Sequence, residues 1–302
     1  MTPEQPTTSI TERILQKRVF ESACEGSSYL RVKPDLVLGH EATIALLIKR
    51  LRAAEKRVFD PEKCFFAADH FVPPATPERA AILRTYLQFV DEEGIPKDQL
   101  FQGISHQLLV EDSRCVPGAL IVGADSHTTM AGALGCFAAG FGSTDILAIL
   151  ATGLVFMTIP EAMKITFKGT LPPEVKGKDL ALTMMKHLGE GGGAYKALEF
   201  VDHTDGIPMA DRMTLTNMAV DCGAKNGLFA PDSITREYMR LRDKNAPGDF
   251  EEWVPGDDSA YGSHWVLDVT NLEPVVARPG SPADVAPVSE ASGESVDQVF
   301  IG

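Results

Sequence analysis

Residues 118–153 read GALIVGADSHTTMAGALGCFAAGFGSTDILAILATG, and this stretch constrains the fold more than any other. Residues 119–122 form an apolar run of strand length, closed by Gly123. Asp125, Ser126 and His127 follow at once, so a carboxylate, a hydroxyl and an imidazole stand where a buried strand emerges. In parallel α/β sheets the carboxyl ends of strands open into the crevice where ligands bind. Beyond them Ala131, Gly132, Ala133, Gly135, Cys136, Ala138, Ala139 and Gly140 form a run of small residues, which suits a helix pressed against another backbone or a large cofactor. Ser143, Thr144 or Asp145 then caps a helix over residues 146–154. Asp-Ser is also ordinary turn material, so pattern alone leaves open a strand, a turn and a packed helix with no chemistry in them.

The segments before this stretch alternate between strand and helix. Ser9-Ile10-Thr11-Glu12 has the form of a capping box, opening a helix that the pattern ends near Gly26. Residues 35–38 read as a short strand and 43–56 as a helix with Ile44, Leu47, Ile48 and Leu51 on one face. The apolar strand 64–68 runs straight into Asp69 and His70. A helix capped at Thr76, with Pro77 in its first turn, stops at Gly94. His106 follows, inside GISHQLLVED. Such alternation predicts an α/β fold: largely parallel sheets covered on both faces, in three layers.

A second unit is expected after Pro160, with a strand at 164–167, helices at 179–188 and 211–224, and a strand at 265–269. Asn217 and Asp221, four residues apart, share a face of the helix 211–224. The run Gly189-Glu190-Gly191-Gly192-Gly193 is not a phosphate loop, because Tyr195, Lys196 and Ala197 stand where that pattern needs Gly, Lys and Ser or Thr. Residues 272–295 carry Pro274, Pro279, Pro282 and Pro287 and read as a linker or covering loop without regular structure, after which Val299, Phe300 and Ile301 begin a fresh strand. The expected division is 1–160, 161–271, and 272–302 as a linker and the first strand of a truncated third domain.

At 302 residues and 44% hydrophobic content the chain is long enough for such a division and ordinary for a globular protein. A net charge of −14 argues against nucleic acid and anionic membranes as partners, and requires a local cation for any anionic substrate. No apolar run approaches the length of a membrane span, and the first residues, MTPEQPTTSITERI, lack the features of a signal peptide, so a cytoplasmic location is expected. The five cysteines, Cys24, Cys64, Cys115, Cys136 and Cys222, show no CxxC pair and no metal-site spacing, and read as reduced structural thiols.

Three histidines, His70, His106 and His127, and two carboxylates, Asp69 and Asp125, thus fall at or near expected strand ends. Asp-His pairs suit proton transfer, because the carboxylate fixes the tautomer of the imidazole and favours its cationic form. The same residue types also ligate zinc, manganese or iron, so a metal-dependent hydrolase using His70, His106 and His127 stays open, although no HxH or HExxH spacing is present. A catalytically incomplete scaffold is the third reading.

Six segments add a resemblance: GHEAT (39–43), the DH of AADHFVP (67–73), GISHQ (103–107), GADSHT (123–128), MTLTNMAVDCGAKNG (213–227), and ARPGSPADVAPVSE (277–290) leading into VDQVFIG. Together they resemble the aconitase superfamily of hydro-lyases, within it the large subunits of 3-isopropylmalate dehydratases, and the likeness spans nearly the whole chain. It implies aconitase-like domains and the dehydration and rehydration of a hydroxy dicarboxylic acid such as 3-isopropylmalate. It also implies a small swivelling-domain subunit as partner, and a [4Fe–4S] cluster with one iron free of cysteine acting as Lewis acid. Carried over by position, His70 paired with Asp69 protonates the departing hydroxyl, and His106 pairs with Asp125. Ser126 belongs to the same motif, and His127 lies near the iron-bound oxygen, with Asn217 and Asp221 close by. Two departures stand out: Asp221 replaces the usual Glu, and the cluster cysteines of the family would follow Gly302, so that no metal ligand is expected in this chain.

Overall fold

The computed structural model describes residues 6–22, 28–242, 250–293 and 295–301. Its first sheet has four parallel strands in the order Cys64–Ala67, Leu36–His40, Leu120–Gly123, Phe137–Gly140. Alternate residues of each strand enter different hydrophobic clusters: Val37, Phe66, Val122 and Ala139 on one face, Leu38, Phe65, Ile121 and Ala138 on the other. A strand buried on both faces reads as an unbroken apolar run, which is why these segments stand out in the sequence.

The helices Glu41–Ala53, Pro77–Glu93 and Ser143–Thr152 cover the first face. The stripe Ile44, Leu47, Ile48 and Leu51 lies inward, none of the four more than 3% exposed. Helix Pro77–Glu93 has Thr76 as its N-cap and ends at Gly94, whose φ of 71° is the left-handed conformation that glycine adopts without a Cβ penalty. The other face is covered by the helix Ser105–Glu111, the 3₁₀ helix Ser126–Leu134 and, from the second half of the chain, the helix Met209–Asn217. These are the three layers expected of an α/β unit.

The first helix is shorter than expected. It spans Ile10–Gln16, with Ser9 Oγ accepting from Glu12 N, and the chain then forms the strand Val19–Ser22. Its buried stripe, Ile10, Ile14 and Leu15, has no successor beyond Lys17, and Arg18 instead bonds Asp35 at 2.8 Å. Cys24 and Gly26 lie outside the described residues.

The run of small residues is likewise not one helix. It holds the 3₁₀ helix Ser126–Leu134, a turn at Gly135 and the strand Phe137–Gly140. The reason for the small side chains is close backbone approach, as a Cβ on Gly132 would stand 1.8 Å from Gly227 O. The following helix starts at Ser143 with Gly142 as N-cap, so none of Ser143, Thr144 and Asp145 caps it.

The second sheet, also parallel, runs Asn226–Phe229, Ala197–Thr204, Ala162–Gly169, Ser263–Asp268. Its two strands at 197–204 and 226–229 are absent from the pattern reading, and the expected helix 211–224 breaks into the helix Met209–Asn217 and a 3₁₀ turn at Val220–Cys222. Residues 275–287 do take regular structure: Val275–Ala277 and Val285–Pro287 pair antiparallel, and Val285 is buried in the core of the second sheet. Pro287 is tolerated as the last residue of a strand at a two-stranded edge, where its missing N–H costs no ladder bond. Val299, Phe300 and Ile301 are exposed and form no strand.

The two sheets meet through the 3₁₀ helix Ser126–Leu134. Asn226 Oδ1 accepts from Ala138 N at 3.1 Å, Thr129 Oγ1 from Gly227 N at 2.9 Å, and Thr216 Oγ1 donates to Met130 O at 3.1 Å. Beneath this seam Arg212, fully buried, donates to Asp202 at 2.9 Å and to Asp232 at 2.6 Å.

Candidate active site

From the strand Leu36–His40 the chain crosses to Cys64–Ala67 on one side, then returns to Leu120–Gly123 on the other. The reversal of direction lies between Leu36–His40 and Leu120–Gly123, and the crevice at the carboxyl ends of such a pair is where open α/β sheets bind ligands. His40 ends the first of these strands, and Asp125 lies two residues beyond the second.

Asp125 is the hub. It caps the 3₁₀ helix Ser126–Leu134, its Oδ1 accepting from His127 N at 2.7 Å. Three imidazoles surround the same carboxylate: His106 Nε2 at 3.1 Å, His40 Nε2 at 3.5 Å and His70 Nε2 at 4.0 Å. Burial raises the pKa of Asp125, but the His106 and His40 rings beside the carboxylate and the His127 N–H outweigh it and hold the carboxyl far below the usual carboxylate range. Asp125 is therefore ionised at any physiological pH.

Asp69 is built the same way. Its Oδ1 accepts from His70 Nδ1 at 2.6 Å, and its Oδ2 from Ser105 N at 2.6 Å, at the start of the helix that carries His106. Burial again opposes ionisation, yet the Ser105 N–H and the His70 ring bring the pKa below its ordinary value. One carboxylate thus orients the ring of His70 and fixes the backbone that presents His106.

His40 and Glu41 carry no role in the pattern reading, which ends the strand at residue 38 and starts the helix at 43. Both are buried. The ring of His40 stacks on that of His70, centroids 3.7 Å apart and 3° from parallel. Glu41 accepts from the backbone N–H groups of Asp69 and Phe71, clamping the turn that holds His70. An ionisable pair inside an apolar strand-to-helix junction was the available signal, because buried ionisable residues need partners.

His127 does not join the other rings. Its Nδ1 stands 3.4 Å from Asn217 O, on the side of the helix Met209–Asn217. Asp221 is exposed in the 3₁₀ turn that follows, and among the described residues no hydrogen bond links it to His127. Ser126 is exposed beside the hub. The trio His70, His106 and His127 therefore does not form a metal-binding set. The described residues whose ligand atoms all lie within 4.8 Å of one another are His40, Glu41, Asp69 and His70.

A cysteine-ligated cluster does not fit the described cysteines. Cys64, Cys115, Cys136 and Cys222 are all buried, and burial pushes Cys64 and Cys222 up to about 12, where a thiol stays protonated instead of becoming the thiolate a cluster needs. Among the described residues no helix is long and apolar enough to cross a membrane.

The profile of the aconitase family (aconitate hydratase) matches residues 12–299. The 3-isopropylmalate dehydratase large subunit of Aquifex aeolicus is 39% identical over 297 residues, covering 97% of this chain and 68% of that one. The large subunit of Syntrophus aciditrophicus is 39% identical over 298 residues, and large subunit 1 of Pyrococcus abyssi 38% over 302; each alignment covers 97% of this chain and 70% of the relative. The holo-form crystal structure of Thermococcus kodakaraensis aconitase X superposes with a TM-score of 0.47 at 11% identity, over 80% of this chain and 58% of that one. With a family profile matched over nearly its whole length, and relatives at such identity, this chain belongs to the aconitase family.

Proposed function

We propose that this chain is the large-subunit part of a hydro-lyase that dehydrates and rehydrates a hydroxy dicarboxylic acid of the 3-isopropylmalate type. The observation that carries the reading is the set of three imidazoles about the ionised Asp125 at the switch point, with His70 oriented by Asp69. Hydroxide is a poor leaving group and needs a proton as it departs. Among the three rings His70 has the access for this: its side chain is 38% exposed, against 14% for His106 and 2% for His40.

In this reading Asp69 takes the hydrogen bond of Nδ1, leaving the Nε2 proton of His70 to be given to the hydroxyl and recovered on rehydration. The carboxylate of Asp125 aligns His106 and offsets the positive charge that gathers on the rings. His40 supports His70 by stacking. Ser126 and His127 line the crevice beyond the hub, and Asn217 holds the ring of His127, with Asp221 on the next turn. Family membership implies an iron–sulfur cluster in the complete enzyme, and the relatives' printed names imply a small subunit. The thiolates of that cluster come from outside the described residues. A cytoplasmic location belongs to the same reading, as does a division into two units near residue 160.

The test is dehydration of 3-isopropylmalate by the enzyme reconstituted with its small subunit and cluster. A His70→Ala variant is expected to lose about 10²–10⁴-fold in kcat, the contribution of a positioned general acid. An unchanged rate would remove His70 from the mechanism.

A further inference from the structure

Cys115 and Cys136 are 21 residues apart in the sequence, and their Sγ atoms stand 3.7 Å apart in the interior. Both side chains are fully buried, in the hydrophobic cluster on the second face of the first sheet. Cys136 Sγ donates to Val116 O at 3.1 Å, so between the two sulfurs it is Cys115 that donates. The backbone around them is already laced, with Gly118 N donating to Gly135 O and Phe137 N to Ala119 O, both at 2.9 Å.

The two cysteines bracket the site. Between them lie the strand Leu120–Gly123, then Asp125, and the 3₁₀ helix Ser126–Leu134 with its C-cap Gly135. Cys115 follows the helix Ser105–Glu111 by a short turn, its N–H donating to Asp112 O at 3.1 Å. That helix and the 3₁₀ helix share one cluster through Leu109, Val110, Ala131 and Leu134, and their starts carry the His106–Asp125 contact at 3.1 Å. A bond between residues 115 and 136 therefore ties, at their far ends, the two elements whose near ends hold imidazole and carboxylate. A disulfide sets its sulfurs about 2.05 Å apart, so from 3.7 Å each would move by roughly 0.8 Å. The turn that accepts from Cys136 borders a recess of about 490 Å³, whose lining includes Val116, Pro117, Gly118 and Ala119. Local opening of this turn is the route for an oxidant little larger than water.

We propose that Cys115 and Cys136 are a modification site, an oxidisable pair that closes to a disulfide with hydrogen peroxide and locks the 3₁₀ helix of the Asp125 hub against the helix carrying His106. First, one cysteine sulfur attacks the peroxide: an S–O bond forms, the O–O bond breaks, and the departing hydroxide takes the thiol proton and leaves as water. The second sulfur then attacks the resulting sulfenic acid: the S–S bond forms, the S–O bond breaks, and the hydroxide leaves as a second water with the second thiol proton. Two thiols lose two electrons, and one peroxide is reduced to two waters. The neighbouring sulfur is at contact distance while further peroxide is outside the cluster, which favours the disulfide over higher oxidation. None of this depends on which reaction the site performs, and the test uses no turnover.

The purified 302-residue chain is treated with hydrogen peroxide in slight excess, digested without reduction and mapped by mass spectrometry. A linked pair of peptides carrying Cys115 and Cys136, two hydrogens lighter and split by dithiothreitol, is expected. Because the closed loop restrains the unfolded chain, Tm should rise by roughly 5 °C. Amide exchange across residues 126–135 should slow roughly 10-fold. Cys136→Ala should lose the link and both shifts, and Cys64→Ala should keep them; the unmodified chain decides the matter alone if a variant fails to fold. Sulfinic or sulfonic acid at either position with no link, thiols unchanged by peroxide, or a link that forms only in urea would overturn the proposal. A link that leaves Tm and exchange unchanged would overturn it too, since nothing would then be locked.

Discussion

Replacing Asp69 by Asn isolates what its charge does for His70. The side chains are nearly isosteric, and the Asn carbonyl can still accept from Ser105 N, which now bonds Asp69 Oδ2 at 2.6 Å. The amide NH₂ is then left facing His70 Nδ1, where a carboxylate oxygen stands at 2.6 Å. Two donors cannot share that bond, so Nδ1 must turn acceptor, and the ring can no longer hold both protons. General acid catalysis of this kind contributes about 10²–10⁴ in rate, so Asp69→Asn is expected to lower kcat for dehydration roughly 10²- to 10³-fold. Stability should change little, by ~1 kcal/mol, because a charge-assisted bond to a ring that is 38% exposed is partly screened. The sign with pH follows from the lowered pKa of Asp69. Its contribution is complete above the ordinary carboxylate value of about 3.9 and is lost as pH falls through the lower folded value, so the wild-type advantage in urea unfolding should vanish in strong acid. Two-bond ¹⁵N–¹H correlations of the His70 ring report the tautomer alongside the rate of formation of the unsaturated acid. A rate within about 3-fold of wild type, or a lost rate with an unchanged ring, would refute the argument.

The seam between the two sheets supplies two more expectations. Arg212 is fully buried between Asp202, 4% exposed, and Asp232, so Arg212→Met should cost ~3–5 kcal/mol by leaving Asp202 unpaired, read as a lower urea midpoint at neutral pH; a midpoint unchanged would show that the network contributes nothing. Gly132→Ala places a methyl 1.8 Å from Gly227 O, and the backbone shift it forces should cost ~2 kcal/mol or more, with weaker hydrogen-exchange protection of Gly227 N; normal stability and protection would show that the seam can open freely.

Much of the first sheet is legible in the chain itself, because Leu36–His40, Cys64–Ala67 and Leu120–Gly123 are buried on both faces and so read as unbroken apolar runs. Asp69, His70 and Asp125 are legible for the same reason, since they stand where those runs stop. The small strand Phe137–Gly140 is not, because alanines and glycines pack a strand only where another backbone comes close, and that neighbour is remote in sequence. The motif GADSHT and its companion segments made the family legible, yet a motif places residues in order and not in space. Which imidazoles share a carboxylate was decided by the crossing of the chain at the switch point, which brings His40, from another strand, to Asp125 and turns His127 toward Asn217. Composition and apolar periodicity determine that this chain builds parallel α/β layers with polar side chains at strand ends. Only the tertiary structure decides that His40 stands there too, because proximity between residues 40 and 125 comes from packing and carries no local pattern of its own.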